Sequence, residues 1–167
     1  MDQDKLIQRL MATFLAELDE HVRALNRDLL ALEKEPTPSA RAELVTTLFR
    51  TAHSLKGAAR AVNVPLIESA CHELETILAS ARAGTLTIGP EVFPLLFEAA
   101  DAIEISGKRL GEQESLEATP LARLLPRLKT AAREGALGDK GPGTGAPWKA
   151  EPSPPPGPTA AGGGAFV

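Results

Sequence analysis

Apolar residues recur every three or four positions through most of the chain, which is the period of an amphipathic helix. The first such stretch, residues 4–34, has one apolar seam formed by Ile7, Met11, Phe14, Leu18, Val22, Leu25, Leu29 and Leu32. One seam on a long helix is typical of helices that lie side by side at small crossing angles. The pattern therefore predicts a first helix that belongs to a bundle.

Capping and turn residues divide the rest of the periodic region into further helices. Thr37-Pro38 and Thr119-Pro120 each place a capping residue before a proline at the first helical position, and Pro65 opens a helix after a short break. Gly84 and Gly111 follow the last periodic residues of two stretches, where glycine commonly ends a helix. These signals predict helices over residues 38–62, 65–83, 89–110 and 119–135.

Two prolines leave the shapes of the last two helices open. Pro94 lies one turn inside the fourth predicted helix and cannot donate a backbone hydrogen bond, so either the first turn is distorted or the helix starts later. Pro126 lies inside the fifth predicted helix and is expected to kink it or split it in two.

The composition changes sharply at Gly138. The last thirty residues contain seven prolines and eight glycines and show no apolar period, which is typical of a flexible linker or disordered tail. We therefore expect a helical domain over residues 1–135 and a linker over residues 136–167 that leads to further domains of a longer protein.

The bulk composition favours an all-α fold. The chain has 167 residues, 43% of them apolar, with no tyrosine and few other aromatic residues. Such a chain is long enough for one domain with a real core, and its many alanine, leucine and glutamate residues favour helix over strand. The expected architecture is an antiparallel four-helix bundle with a fifth helix and a disordered C-terminal tail.

Charge and cysteine content exclude several classes of protein. The formal net charge of −4 argues against nucleic-acid binding, which usually needs a basic surface. Cys71 is the single cysteine, which rules out an intrachain disulfide and is more consistent with a small packed side chain than with a redox site. We find no signal peptide and no run of about 20 apolar residues. A cytoplasmic protein that does not enter the membrane is expected.

His53 lies on the wrong side of its helix to be a core residue. In projection it points about 160° away from the apolar stripe of the second predicted helix, and Arg50, Lys56 and Arg60 are among its neighbours. A solvated surface histidine is the simplest interpretation. Antiparallel packing of the second and third helices changes it, because Glu75 then lies almost opposite His53 and His72 lies within one turn.

A carboxylate beside the ring would give this exposed histidine a chemical role. An acceptor at Nδ1 fixes the tautomer, raises the basicity of the ring and leaves Nε2 free as a nucleophile. Lys56 would supply positive charge to a transferred phosphoryl group, and Gly57 leaves room for the backbone of a partner. The ordinary alternatives are a solvated lysine and a tolerated helix glycine.

Motifs for independent catalysis are missing from the chain. There is no glycine-rich phosphate loop, no zinc-protease motif and no nucleophile elbow. A metal site on His53 and His72 is disfavoured, because two histidines without a compact ligand cluster seldom hold zinc. The sequence therefore predicts neither a catalytic site that works alone nor a metal site.

The run His53-Ser54-Leu55-Lys56-Gly57 resembles the His-x-x-Lys-Gly motif of histidine-containing phosphotransfer (HPt) domains. The later run Cys71-His72-Glu73-Leu74-Glu75 resembles the second motif of the amino-terminal phosphotransfer domain of CheA-type chemotaxis histidine kinases. The resemblance covers about residues 4–110, and residues up to 134 if the fifth helix is the extra helix of that family.

This resemblance implies a role for each site residue. His53 would be phosphorylated, Glu75 would bind its Nδ1, and Lys56 and His72 would line the site. Phosphoryl would come from ATP held by a kinase domain and pass to an aspartate of a response regulator, so ATP and Mg²⁺ would belong to those partners and no cofactor to this chain. The chain would be a monomeric substrate and phosphate carrier, while the full-length protein would be a histidine protein kinase.

Docking of partners is expected on the outer face around His53. Gly57 would give access, with Phe49, Ala58 and Arg60 as contact residues, and the contact would be small and transient. For Phe49, partial burial between helices is an equal alternative. Two other functions stay open at this point: a phosphorelay HPt protein that stands alone, and a helical adaptor without chemistry.

Overall fold

Five α-helices make up the computed structural model, which describes residues 2–138. They are α1 (Gln3–Glu33), α2 (Pro38–Ala61), α3 (Pro65–Ala83), α4 (Phe93–Gly111) and α5 (Pro120–Leu137). The described residues contain no strand, so the predicted all-α class is confirmed. The predicted linker and tail lie outside the described residues, except for the end of α5 and Gly138.

The predicted start and stop signals act as expected in α2, α3 and α5. Thr37 caps α2 by accepting a hydrogen bond from the backbone N–H of Ala40 at 3.3 Å, and Thr119 caps α5 in the same way. Helix α3 ends at Gly84, whose φ of 82° lies in the left-handed region that glycine adopts without steric cost.

The sequence predicts that α4 either begins near residue 89 with a distorted first turn or begins later, and the structure shows the later start. Residues 90–92 form a turn, in which the backbone N–H groups of Val92 and Phe93 donate to the carbonyl of Gly89. The helix begins at Phe93, so Pro94 falls within its first turn. The missing N–H of Pro94 costs no helical hydrogen bond there, because the first N–H groups of a helix have no partner within it.

Helix α5 is not split at Pro126. It runs without a break from Pro120 to Leu137, two residues past the predicted end. Pro126 lies on its exposed side, where water can bind the carbonyl one turn earlier that loses its N–H partner. The buried side of α5 carries Leu121, Leu124 and Leu128, so this helix is part of the bundle and not an appendage.

The helices pack in the order α1, α2, α3, α5, α4 and back to α1 around a shared core. Direct contacts between α3 and α4 are few, because α5 lies between them over much of their length. Six leucines from the first four helices converge at the centre: Leu25, Leu29, Leu48, Leu74, Leu78 and Leu96. This core holds α2 and α3 side by side and fixes the register between them.

No helix in the part of the chain that the structure describes is both long and apolar enough to cross a membrane.

Candidate functional site

Helix α2 presents His53 to solvent because its opposite face is buried in the core. Leu48, Ala52, Leu55 and Ala59 are each completely buried. His53 lies on the other side of the helix, and 63% of its side chain is exposed. The predicted orientation of His53 is therefore observed, and its ring is open to an incoming reactant.

Glu75 on α3 reaches His53 as the antiparallel register predicts. Its Oε1 atom lies 3.2 Å from Nδ1 of His53. An ionised carboxylate only accepts hydrogen bonds, so Nδ1 must carry the proton in this contact. In the neutral ring, Nε2 then keeps a free lone pair that faces solvent, which is the form of imidazole that acts as a nucleophile.

Lys56 is bound to the same carboxylate. Its Nζ lies 2.6 Å from Oε2 of Glu75, an oxygen that has no solvent exposure of its own. Partial burial opposes ionisation of Glu75, but the contacts with Lys56 and His53 outweigh it and lower the pKa of Glu75 below its ordinary value. Glu75 is thus held as an anion between a histidine and a lysine.

The lowered pKa of Glu75 predicts a pH-dependent contribution to folding. The ionised carboxylate stabilises the folded chain at pH values above the ordinary carboxyl range, and this contribution disappears as the pH falls through the folded-state pKa. At pH 7 we expect Glu75→Gln to lower the free energy of unfolding by about 1 kcal/mol. Urea unfolding of both proteins at pH 7 and pH 3 tests this. A difference that persists at pH 3 would contradict it.

An aromatic and a cationic side chain flank His53 on its N-terminal side. The ring of Phe49, one turn earlier on α2, lies nearly parallel to the imidazole, with 10° between the planes and 6.4 Å between the centroids. The guanidinium carbon of Arg82 lies 4.6 Å from the centroid of Phe49. Sequence reasoning missed Arg82, because a cation in the last turn of a helix is commonly explained by the helix dipole.

Contacts with His53 or with Glu75 are seen for only part of the predicted residue set. Phe49, Lys56 and Glu75 lie at the site. The His72 side chain is exposed, and within residues 2–138 it makes no hydrogen bond or ion pair. Its predicted role in binding phosphoryl stays a prediction.

The predicted docking residues are not equally available to a partner. Gly57 is exposed, and a Cβ atom added to it would meet nothing within 4 Å. Arg60 is also exposed and lies 4.0 Å from Glu68. Ala58 is half-buried and packs against the core, as Phe49 also does. The open part of this surface is therefore formed by Gly57 and Arg60, with the edge of Phe49 beside His53.

Cys71 is close to the site in sequence but is sealed in the core. Burial, with a further contribution from the charge of Glu75, raises the pKa of its thiol to about 12. Such a thiol stays protonated and unreactive, as expected for a packed small side chain. Among the described residues, no three His, Cys, Asp or Glu side chains cluster as a set of metal ligands.

Comparison with known proteins places these features in context. The family model described as "Hpt domain" matches residues 9–106. The chain is 36% identical over 91 residues to the chemotaxis protein CheA of Bacillus subtilis, an alignment that covers 54% of this chain and 13% of that protein. It is 30% identical over 98 residues to the sensor histidine kinase CheAY of Helicobacter pylori, covering 59% of this chain and 12% of that protein.

A solved structure shares the fold. The phosphorylated P1 domain of CheA3, in complex with CheY6 from R. sphaeroides, superposes with a TM-score of 0.64 and 21% sequence identity, covering 75% of this chain and 96% of that chain. At this level of identity the likeness concerns the fold. The chain spans about an eighth of the length of the curated relatives that it matches.

Proposed function

Since this chain belongs to the Hpt domain family, we propose that His53 accepts a phosphoryl group at Nε2 and later donates it to an aspartate of a partner protein. The observation that carries this proposal is the contact between Nδ1 of His53 and the ionised Glu75. In the neutral ring, this contact leaves Nε2 without a proton at the surface of a helix. The chain would act as a carrier of phosphoryl, and other proteins or domains would supply the two ends of the transfer.

The proposed first step is an in-line displacement on ATP. The lone pair of Nε2 forms a bond to the γ-phosphorus, the bond from that phosphorus to the bridging oxygen breaks, and ADP leaves with that electron pair. The ring becomes a phosphorylated imidazolium whose positive charge is shared with the proton on Nδ1. Glu75 stabilises this charge as it develops, so its contribution is larger in the transition state than in the ground state.

The proposed second step transfers the group onward. A carboxylate oxygen of the acceptor aspartate bonds to phosphorus, and the bond from phosphorus to Nε2 breaks, which returns the imidazole to its neutral form with the proton still on Nδ1. ATP and Mg²⁺ would be held by the kinase domain, and a second Mg²⁺ by the acceptor. The crystallised P1 domain of CheA3 carries phosphoryl and binds CheY6, which supports a response regulator as the acceptor.

We further propose that this domain belongs to a CheA-type histidine kinase. Support comes from the identity of about a third to CheA proteins over the helical region. Residues 136–167, with their many glycines and prolines, would then connect the domain to the rest of the kinase. The phosphoryl donor would be the ATP-binding domain of the same protein.

Incubation with a CheA-type kinase core and labelled ATP tests this function. We expect the chain to gain phosphate that is lost in acid and kept in base, which is the behaviour of phosphohistidine. Addition of a response regulator should then remove the label from the chain. Phosphate with the acid stability of a phosphoserine, or no incorporation with a kinase core that phosphorylates its own domain, would contradict the proposal.

Substitution of Gly57 is expected to affect the stability of the fold and the docking of a partner in opposite directions. Alanine is a better helix former than glycine and meets no neighbour at this position, so Gly57→Ala should stabilise the fold by up to about 1 kcal/mol. If Gly57 gives a partner close access to His53, the same variant should slow transfer to the regulator. Urea unfolding and single-turnover transfer are the two measurements. An unchanged transfer rate would remove the docking role.

Gly107 on α4 provides the contrasting substitution. A Cβ atom at this buried position would lie 2.8 Å from Cδ2 of Leu18 on α1, and Leu18 is itself buried. In Gly107→Ala, overpacking against Leu18 should therefore cancel the stabilisation that comes from the higher helix propensity of alanine. We expect its free energy of unfolding to be lower than that of Gly57→Ala by about 1 kcal/mol or more. Phosphoryl transfer should stay normal, because Gly107 lies in the core between α1 and α4.

A further inference from the structure

Lys56, the lysine of the site, forms an ion pair with Glu75. Lys56 Nζ lies 2.6 Å from Oε2 of Glu75, and that oxygen is enclosed. If Lys56 turned toward a phosphoryl group on His53, it would leave a buried carboxylate oxygen without its partner, which is costly in a partly dehydrated position. A cation that has no such contact is therefore better placed to bind the phosphoryl group.

Arg82 is a second cation near the site, and its guanidinium lies over the ring of Phe49. Its side chain forms no ion pair or hydrogen bond within the part of the chain that the structure describes, and the residue is exposed. The stacking contact with Phe49 holds it beside the site. Because the guanidinium carbon is 4.6 Å from the centroid of Phe49, which is 6.4 Å from the imidazole centroid, it lies within about 11 Å of the His53 ring.

We propose that Arg82 is the residue that binds the phosphoryl oxygens of phosphorylated His53. Before phosphorylation, the contact with the Phe49 ring keeps the guanidinium of Arg82 near the imidazole. This inference rests on the proposed phosphorylation of His53. In the unmodified domain Arg82 stacks on Phe49. When Nε2 carries a phosphoryl group, the guanidinium moves from the ring to the new anion.

The relative strength of the two contacts favours this movement. A cation that is itself exposed to solvent is held weakly over an aromatic ring, because water competes for the cation. A guanidinium and a phosphoryl group form short, charge-assisted hydrogen bonds, often two at a time, which a point charge such as lysine does not match in geometry. The arrangement keeps Glu75 paired with Lys56 throughout, so orientation of the ring and binding of the phosphoryl group are carried out by different cations.

The charged side chains that face His53 define what a test must separate. On α2 they are Arg50, Lys56 and Arg60, and on α3 they are His72, Glu75 and Arg82. Arg50, three residues before His53, is exposed and makes no ion pair within residues 2–138. It is the natural competitor of Arg82, since it has the same chemistry without an aromatic ring that holds it.

The experiment measures the titration of the phosphoryl group itself. The full chain is phosphorylated with phosphoramidate, which transfers its phosphoryl group to histidine and releases ammonia, and the ³¹P signal of phosphorylated His53 is followed against pH. Pairing with Arg82 favours the dianion, so we expect Arg82→Gln to raise the titration midpoint by about half a pH unit. The series is measured in the unchanged background and again with His72→Gln, which removes that neighbouring titration.

Control variants assign the effect to Arg82. Arg82→Lys should recover only part of the shift, because lysine keeps the charge and loses the paired donors. Arg133→Gln removes the same charge from an exposed position on α5 and should leave the midpoint unchanged. Phe49→Leu should weaken the effect of Arg82 in part. An equal upward shift in Arg50→Gln, or no shift in Arg82→Gln, would overturn the assignment to Arg82.

A second readout separates binding from a structural effect. In ¹⁵N spectra, the Nε–H signal of Arg82 should move and exchange more slowly with water when His53 is phosphorylated, and should not change in His53→Gln. A lower unfolding temperature of Arg82→Gln with no change in the ³¹P midpoint would show that Arg82 stabilises the C-terminal end of α3 and does not bind the phosphoryl group. If a CheA-type kinase core with ATP leaves His53 unmodified, the proposed function fails; if His53 is phosphorylated and Arg82→Gln changes neither readout, only this inference fails.

Discussion

Replacing His53 by glutamine should abolish incorporation of phosphoryl from ATP, with a loss of at least about a thousandfold in rate. Glutamine has no nitrogen with a free lone pair that can attack phosphorus, and the described residues offer no other imidazole that is both exposed and paired with a carboxylate. The fold should persist, because 63% of the His53 side chain is exposed and its removal leaves the core intact. Labelled ATP with a CheA-type kinase core gives the rate.

His21→Gln is the matched control for that experiment. His21 is half-buried on α1 and takes no part in the site, so this variant should incorporate phosphoryl at the rate of the unchanged chain. Circular dichroism and thermal unfolding of both variants show that the loss is chemical and not structural. Incorporation that survives His53→Gln would remove His53 from the proposed function.

Replacing Glu75 by alanine should slow phosphorylation of His53 by about 10- to 100-fold. Without the carboxylate, the ring loses the acceptor that keeps the proton on Nδ1, and the positive charge that develops during attack is no longer stabilised. Glu75→Gln should lie between alanine and the unchanged chain, because an amide oxygen still accepts from Nδ1 but carries no charge. Single-turnover kinetics at saturating ATP separate the chemical step from binding.

Glu73 supplies the control for the Glu75 variants. It carries the same charge on the same helix and forms no ion pair within residues 2–138, and it points about 160° away from Glu75 around the helix axis. Glu73→Ala should therefore leave the rate within about a factor of two. A rate that is unchanged in Glu75→Ala, or that falls equally in Glu73→Ala, would show that Glu75 does not orient the ring.

Much of the fold follows from local signals in the sequence. The bounds of α3 follow from Pro65 at one end and Gly84 at the other, and both act through backbone geometry that depends on few neighbours. The start of α4 does not follow from local signals alone, because Pro94 allows both a distorted first turn and a later start. Tertiary packing of Phe93 into the core accompanies the later start.

The position of α5 could not be deduced from its own periodicity. Its apolar residues predict an amphipathic helix but do not say which neighbours cover them. In the structure α5 lies between α3 and α4, an arrangement that depends on contacts between residues far apart in the chain. Pro126 was expected to disturb this helix, yet the helix continues through it, because the packing of Leu124 and Leu128 stabilises both sides of the proline.

The candidate site was predictable where it depends on helix register. The spacing of α2 and α3 about their short connection is enough to place Glu75 opposite His53. The commitment of Lys56 to Glu75 and the stacking of Arg82 on Phe49 depend on side-chain conformations that no spacing rule contains. The sequence predicts that Lys56 binds the phosphoryl group, which stays a prediction; in the structure Lys56 binds the carboxylate of Glu75 that contacts His53.

The most direct test of the proposed chemistry is to locate the phosphoryl group within the histidine ring. The chain is labelled with ¹⁵N-histidine and phosphorylated by a CheA-type kinase core with ATP. Two-bond ¹H–¹⁵N correlation spectra then distinguish the two ring nitrogens, and ³¹P spectra of the same sample report the phosphoryl group. We predict phosphorus bonded to Nε2 of His53, with Nδ1 still protonated and hydrogen-bonded to Glu75. Phosphorus on Nδ1, or on any residue other than His53, would contradict the role assigned to the contact between His53 and Glu75.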